Sequence, residues 1–344
     1  MSKSRLPRVS LCTPTFNRRP FFKGTIANVL AQDFPRDRME WIIVDDGVDK
    51  IGDLVKDIPF VKYISVDKMP LGKKRNFMHT QCTFQNDDDI IVYIDDDDYY
   101  PPERVSHAVN KLVGSKALCA GSSELLIWFN SLNKMYKFGP YGPNHSTAGT
   151  FAFKRELLKQ TRYDDDAVIG EEKVFLKNYT IPFIQLDPLK TILVFSHEQN
   201  TFDKRRLIDP NNPVCKESFV KVKHLIRNKE TRKFYTEEID GLLANYDLGE
   251  VKHKPDVLAE IKRRDQANQE RMTQERMAQE RNQTSSSSPT YQTGQMTTKE
   301  ANMMEALRKK IEENLILEKE LEKAKEYIKL LTENIKARDS ARSP

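Results

Sequence analysis

Between residues 8 and 95 the chain alternates short apolar runs with segments whose apolar residues recur at helical spacing. Residues 8–13 (RVSLCT), 41–44, 61–66 and 90–94 predict four strands, each an apolar run of four to six residues. Between them, Phe22, Ile26, Val29 and Leu30 share one face of a helix over 21–31, and a second helix is predicted near 73–82. Strands alternating with helices predict a parallel sheet covered on both faces. Ligands of such sheets bind at the carboxyl ends of the strands.

Beyond about residue 250 the pattern changes. The phrase Gln-Glu-Arg begins at 269, 274 and 279, a five-residue repeat that suits a solvated helix and cannot keep an apolar face at a 3.6-residue period. Four serines and a proline at 285–289 predict a flexible linker. Over 299–338, Leu317, Leu321, Ala324, Ile328, Leu331 and Ile335 are spaced as a coiled-coil seam, which predicts a homo-oligomer. The expected organisation is a catalytic-sized domain over 1–250 with one or two amphipathic helices at 214–248, a polar helical repeat and linker over 251–298, and the coiled coil.

Composition narrows the partners. The 344 residues carry 56 basic and 51 acidic side chains, a net charge of +5, which offers no gross electrostatic case for nucleic acid. Cys12, Cys82, Cys119 and Cys215 are too dispersed for a zinc site or a disulfide framework, and no apolar run approaches the roughly 18 residues a membrane span needs. These features predict a reduced, cytoplasmic chain.

The candidate chemistry stands where the strands end. After the first strand comes PTFNR, after the second Asp45-Asp46-Gly47, and after the fourth the aspartates Asp95, Asp96, Asp97 and Asp98. Seven of the twelve residues over 87–98 are aspartate. Asp87, Asp88 and Asp89 precede the strand and predict a solvated turn. The four that follow it would repel one another unless they share a hard cation such as Mg2+ or Mn2+. Pro101 and Pro102 then open a further helix.

The segments RVSLCTPTFNRRPFFKGTIANVLAQDFP, EWIIVDDG, LGKKRN, IIVYIDDDDYYP, TAGTFAFKRELL and IGEEKVFL cover about residues 5–210 in this order. Together they resemble glycosyltransferase family 2, whose members have the GT-A fold: an α/β nucleotide-diphospho-sugar transferase sheet with helices on both faces. The resemblance implies a metal-dependent transfer of a hexosyl or N-acetylhexosaminyl group, with inversion, from a nucleotide diphosphate donor, a UDP-sugar above all, to an acceptor hydroxyl. It places Pro14, Phe16 and Asp46 at the donor base, Lys73 and Arg75 facing the donor, and Asp95 and Asp97 at ribose and metal. Four consecutive aspartates leave Asp96 as an alternative metal ligand. Glu172, with Glu171 as rival, matches the position of the base, and His197 that of a late metal ligand. His145 lies in a segment that could touch the acceptor. Two other readings are a catalytically silent GT-A scaffold and a sugar nucleotidyltransferase; the absence of glycine over 14–19 disfavours the latter.

Overall fold

The computed structural model describes residues 6–209, 212–285, 305 and 309–310. The chain divides into two compact units, Met1–Glu270 and Arg271–Pro344.

In the first unit, β1 (Val9–Thr15), α1 (Phe22–Leu30), β2 (Met39–Asp45), α2 (Gly52–Val55), β3 (Val61–Ser65), α3 (Leu71–Gln81), β4 (Ile90–Tyr93) and α4 (Arg104–Val113) follow one another in the predicted alternation. Every residue of β2 and β4 is buried, as expected of strands covered on both faces. One face packs Trp41, Ile43, Val92 and Leu112; the opposite face packs Ile42, Val44, Met78 and Phe153.

Downstream the strands shorten. β5 (Cys119–Gly121), β6 (Leu125–Phe129), β7 (Lys134–Phe138), β8 (Ala152–Lys154), α5 (Glu172–Phe175), β9 (Phe183–Gln185), β10 (Leu193–Ser196) and β11 (Cys215–Glu217) are linked by loops and single 3-10 turns. The main sheet has the order β3-β2-β1-β4-β8-β5-β9, and a second sheet has the order β10-β6-β7-β11. The parallel sheet expected of the four strands is present, and the sheet then continues beyond them. β1 to β4 are parallel, but β8 runs antiparallel to both β4 and β5. No helix crosses over to reach β8; the chain returns to it from the second sheet through a loop, so the right-handed helical crossover that imposes parallel pairing does not apply. The fold is α/β, with helices on both faces of the main sheet and a smaller second sheet.

α6 (Val222–Leu225), α7 (Lys229–Lys233) and α8 (Ile239–Ala244) bury Val222, Ile226, Phe234, Tyr235, Ile239 and Leu243 against Phe21, Tyr99 and Phe195. This region is core packing. The long helix α9 (Pro255–Ser285) follows, with Met272 and Met277 67% and 56% exposed, as its solvated repeat demands. Apart from 305, 309 and 310, the expected coiled coil lies outside the described residues, as does the serine run after Ser285. Among the described residues no helix is long and apolar enough to cross a membrane.

One local expectation changes. Asp89 does not sit in a solvated turn: it is buried and accepts from Arg8 Nη2 at 2.8 Å and from Asn86 N at 2.9 Å, tying the chain start to the entry of β4. Cys12 and Cys82, 70 residues apart, bring their Sγ atoms to 3.9 Å as free thiols in the core.

Candidate active site

A cavity of about 350 Å³ opens at the carboxyl ends of β1 and β4. Its wall combines Pro14, Thr15, Phe16 and Arg18 after β1, Lys74 and Arg75 from α3, Asp95, Asp96 and Asp97 after β4, and Val168 to Glu171 before α5. Thr201, Phe202, Lys254, Asp256 and Val257 close it.

The turn after β1 is shaped by Asn17, whose φ of 51° puts it in the left-handed region where asparagine is tolerated. Its Oδ1 accepts from Val48 N at 2.7 Å, and its Nδ2 donates to Leu248 O at 2.9 Å. Gly47 packs so close that a Cβ there would stand 2.5 Å from Asn17 N. The β1 and β2 turns therefore hold each other in place.

α3 points Leu71, Lys74, Arg75 and Met78 inward, the spacing of one helical face. Lys73 instead faces solvent and does not line the cavity. The lysine of the site is Lys74. Its ammonium is ion-paired with Asp46 Oδ1 and donates to Thr15 O at 3.1 Å, while Asp46 Oδ2 accepts from Met69 N at 3.0 Å. Asp46 thus lies behind the wall with its carboxylate already engaged. Burial lowers Lys74, and the nearby Asp46 charge opposes that shift.

Arg75 is fully charged, because Glu171 and Asp95 outweigh the burial that would lower it. Its Nε donates to Glu171 Oε1 at 2.7 Å, Nη2 lies 3.8 Å from Asp95 Oδ1, and the guanidinium stacks 4.3 Å over the Tyr93 ring. Such a planar fork can serve two carboxylates at once.

The aspartates after β4 have divergent environments. Burial, and then the charge of Asp97, push Asp96 up to about 7; burial, with Asp97 and Glu171 adding to it, pushes Asp95 up to about 6. Asp97 goes the other way. Burial acts to raise it, but hydrogen bonding to His197 and the charge of Arg18 hold it well below the usual carboxylate range. Asp98 turns away to accept from Phe195 N at 2.9 Å, a structural role joining this loop to β10. Thr25 and Asn28 of α1 fix the loop from behind by donating to the carbonyls of Asp96 and Asp98 at 2.8 and 2.9 Å.

His197 lies behind Asp97 and lines a second cavity of about 520 Å³ with Gln199, Asp240 and Glu250. Its Nε2 is 3.3 Å from Asp97 Oδ2, and burial lowers the imidazole to about 4, so the ring is neutral at pH 7. Its buried Nδ1 has no hydrogen-bond partner. Among the described residues no group of three or more His, Cys, Asp or Glu side chains forms a ready-made metal cage. What the site offers is a carboxylate and a neutral imidazole nitrogen at about the spacing of two neighbouring ligands on one small cation, whose bonds are roughly 2.1 Å. That pair fits one small divalent cation, for which Asn200 Nδ2, 2.7 Å from the same ring nitrogen, would give way.

The loop before α5 approaches through Gly170, whose φ of +64° is that of a left-handed residue. Gly72 of α3 lies so near this loop that a Cβ would stand 1.9 Å from Asp164 O, and Gly72 N donates to Ala167 O at 2.8 Å. Asn76 adds bonds to Tyr163 O and Asp165 Oδ1 at 2.9 and 2.7 Å. Glu171 reaches the cavity; Glu172 is not part of its wall. Burial, and then the charge of Glu171, push Glu172 up to about 7. His145 is elsewhere, between the rings of Tyr141 and Tyr179 at 4.9 and 5.0 Å.

Residues 10–161 match the model of the family described as Glycosyl transferase family 2. The similarity to this family covers less than half of the chain. The family 2 segment supplies Pro14, Phe16, Arg18, Lys74, Arg75 and the three aspartates, whereas Glu171, Glu172, His197 and Lys254 lie beyond it. Similar solved structures include TarS 1-349 of S. aureus in complex with UDP, 19% identical over 56% of this chain and 61% of that one, with a TM-score of 0.42. Another is the mannosyltransferase PcManGT from Pyrobaculum calidifontis in complex with GDP-Man and Mn2+, 16% identical over 70% of this chain and 75% of that one, with a TM-score of 0.44. The chain thus spans 61% of the first of these. It is not significantly similar to any curated protein sequence.

Proposed function

We propose that the chain is an inverting glycosyltransferase that moves a hexosyl or N-acetylhexosaminyl group from a nucleoside diphosphate, a UDP-sugar above all, to an acceptor hydroxyl. The observation that carries this reading is the convergence, inside one cavity at the carboxyl edge of a family 2 sheet, of three aspartates with Arg18, Lys74 and Arg75. Phe16 offers an aromatic face for the base, and Pro14 a rigid edge beside it. Arg75 would meet the negative charge that grows as the sugar bond to the diphosphate breaks, and contacts that strengthen with that charge lower the barrier.

A divalent cation, Mn2+ or Mg2+, would be held by Asp97 and His197, with Asp95 or Asp96 in support, and would supply Lewis-acid stabilisation of the leaving diphosphate. Glu172, adjacent to the wall residue Glu171, is the base in this proposal, reaching an acceptor from beside the cavity. Its carboxyl is raised to about 7, the range in which proton removal from a hydroxyl is most effective at neutral pH. Glu171 holds Arg75 in place. The coiled coil over 299–338 would oligomerise the chain.

The test is nucleotide release by the full chain with manganese across a panel of UDP- and GDP-sugars. Release from at least one donor, lost with chelator and with Asp97→Ala, is expected. Glu172→Gln should keep nucleotide binding and lower transfer by about 100-fold or more. Unchanged transfer in Glu172→Gln with a loss in Glu171→Gln would reassign the base, and no release from any donor would leave the scaffold reading.

A further inference from the structure

The donor cavity is finished by a segment that the family 2 match does not reach. Residues 248–257 run across the turns that follow β1 and β2. Leu248 O accepts from Asn17 Nδ2 at 2.9 Å, and Gly249 O accepts from Arg18 Nη1 at 3.3 Å. The strap is fixed from its other side too. Gln199 Nε2 donates to Leu243 O at 3.1 Å and Tyr246 O at 2.6 Å, and Tyr246 Oη donates to Asp49 Oδ2 at 2.9 Å. Gly249 is wedged against Gln199, whose Oε1 would stand 2.0 Å from a Cβ there. A segment tied at so many points positions its side chains before any ligand arrives.

What it brings into the cavity is Lys254. The ammonium lies 5.7 Å from the Phe16 ring centre, with Lys68 at 5.0 Å from the same ring. Lys68 is neutralised by Asp256 at 3.0 Å. Lys254 forms no ion pair among the described residues and donates only to Thr201 Oγ1 at 3.3 Å, which leaves most of its hydrogen-bonding capacity unused. Arg18 and Lys74 share the cavity wall with it, so three cationic side chains converge there. Arg18 is paired with Asp97 at 3.6 Å and Lys74 with Asp46, so of these three Lys254 alone has no acidic partner among the described residues and is left to meet an anionic ligand.

We propose that Lys254 is a donor-binding residue that contacts the diphosphate of the nucleotide, so that the strap 248–257 completes the donor site. This rests on the nucleoside diphosphate reading above. A domain ending near 250, as the composition change suggests, would lose this contact; the compact unit that runs to Glu270 keeps it.

Calorimetric titration of the full chain with UDP, with uridine and with inorganic pyrophosphate, all with manganese, tests the proposal; GDP and guanosine serve in parallel. Lys254→Met is expected to weaken the diphosphate nucleotide and pyrophosphate about tenfold or more while leaving the nucleoside unchanged. Lys254→Arg should recover most of the loss, and both variants should melt within a few degrees of the parent without nucleotide. Equal weakening of nucleoside and nucleotide would overturn the diphosphate contact in favour of a role at the Phe16 face. Unchanged binding in Lys254→Met would overturn the inference alone. A parent chain that binds neither UDP nor GDP would overturn the donor reading on which it stands.

Discussion

The two halves of the first unit keep their shape by different means. From β1 to α4 the strands run four to seven residues, pair in parallel and are sealed by aliphatic and aromatic side chains on both faces. From β5 to β11 the strands run three to five residues, and directed polar bonds reinforce the apolar burial of Phe129, Phe138, Phe151 and Phe153. Arg104 of α4 is the clearest of these. It is fully buried and donates from Nη2 to Thr150 O and Phe151 O at 2.8 Å each, fastening the returning chain to the first half. Nearby, Ser146 Oγ donates to Ser122 O at 3.0 Å, and Thr150 Oγ1 accepts from Ser122 N at 3.0 Å. The lesson is that apolar burial needs only the right kind of residue at the right period, whereas a polar clasp needs one particular partner.

Substitutions can break that contrast. The largest loss is expected in the first half: Trp41→Ala removes a fully buried indole and should destabilise the protein by about 3–5 kcal/mol in urea unfolding, with donor-independent effect. Arg104→Met should cost about 1–3 kcal/mol, the penalty for two buried carbonyls losing a charged donor. Hydrogen exchange should then quicken over 119–154 more than over 9–45. Equal quickening in both would show that the halves are one cooperative unit.

The seam sharpens the contrast at smaller scale. His79 of α3 meets Tyr93 Oη at 2.7 Å on one side and the rings of Phe153, Tyr163 and Phe175 on the other. Burial, and then the charges of Arg75 and Arg155, lower its imidazole to about 3. The folded chain therefore refuses a proton that the unfolded chain takes up below about pH 6.5, and stability contributed above that pH is lost as pH falls toward 3. About 1 kcal/mol should go over the first pH unit below 6.5. His79→Gln should flatten that part of the stability profile, and an unchanged slope would mean that another group carries it.

Legibility in the sequence followed the same division. The four parallel strands, with α1 and α3 between them, stand within a few residues of their expected places, because an apolar run buried on both faces announces itself. β5, β8 and β9 are three residues each, too short for any periodicity to register, and the antiparallel return of β8 depends on contacts far away in sequence. Pro14, Phe16, Arg75 and Asp95, Asp96 and Asp97 do meet in one cavity with Glu171. The choice of Lys73 over Lys74 came from motif position; the spacing 71, 74, 75, 78 of one helical face would have pointed to Lys74. Asp46 is spoken for by Lys74, which no local pattern discloses. Lys254 carries no motif signal at all, since its place depends on a strap anchored more than 230 residues upstream.

The glycine at position 72 has an implication for anyone who would re-engineer this protein. With the carbonyl of Asp164 filling the space a methyl group would take, α3 and the loop that presents Glu171 are cut to one another like a key and its ward. Transplanting that loop from a homologue would also require the homologue's own residue 72. Specificity on the two sides of the cleft can therefore be exchanged only as a matched set.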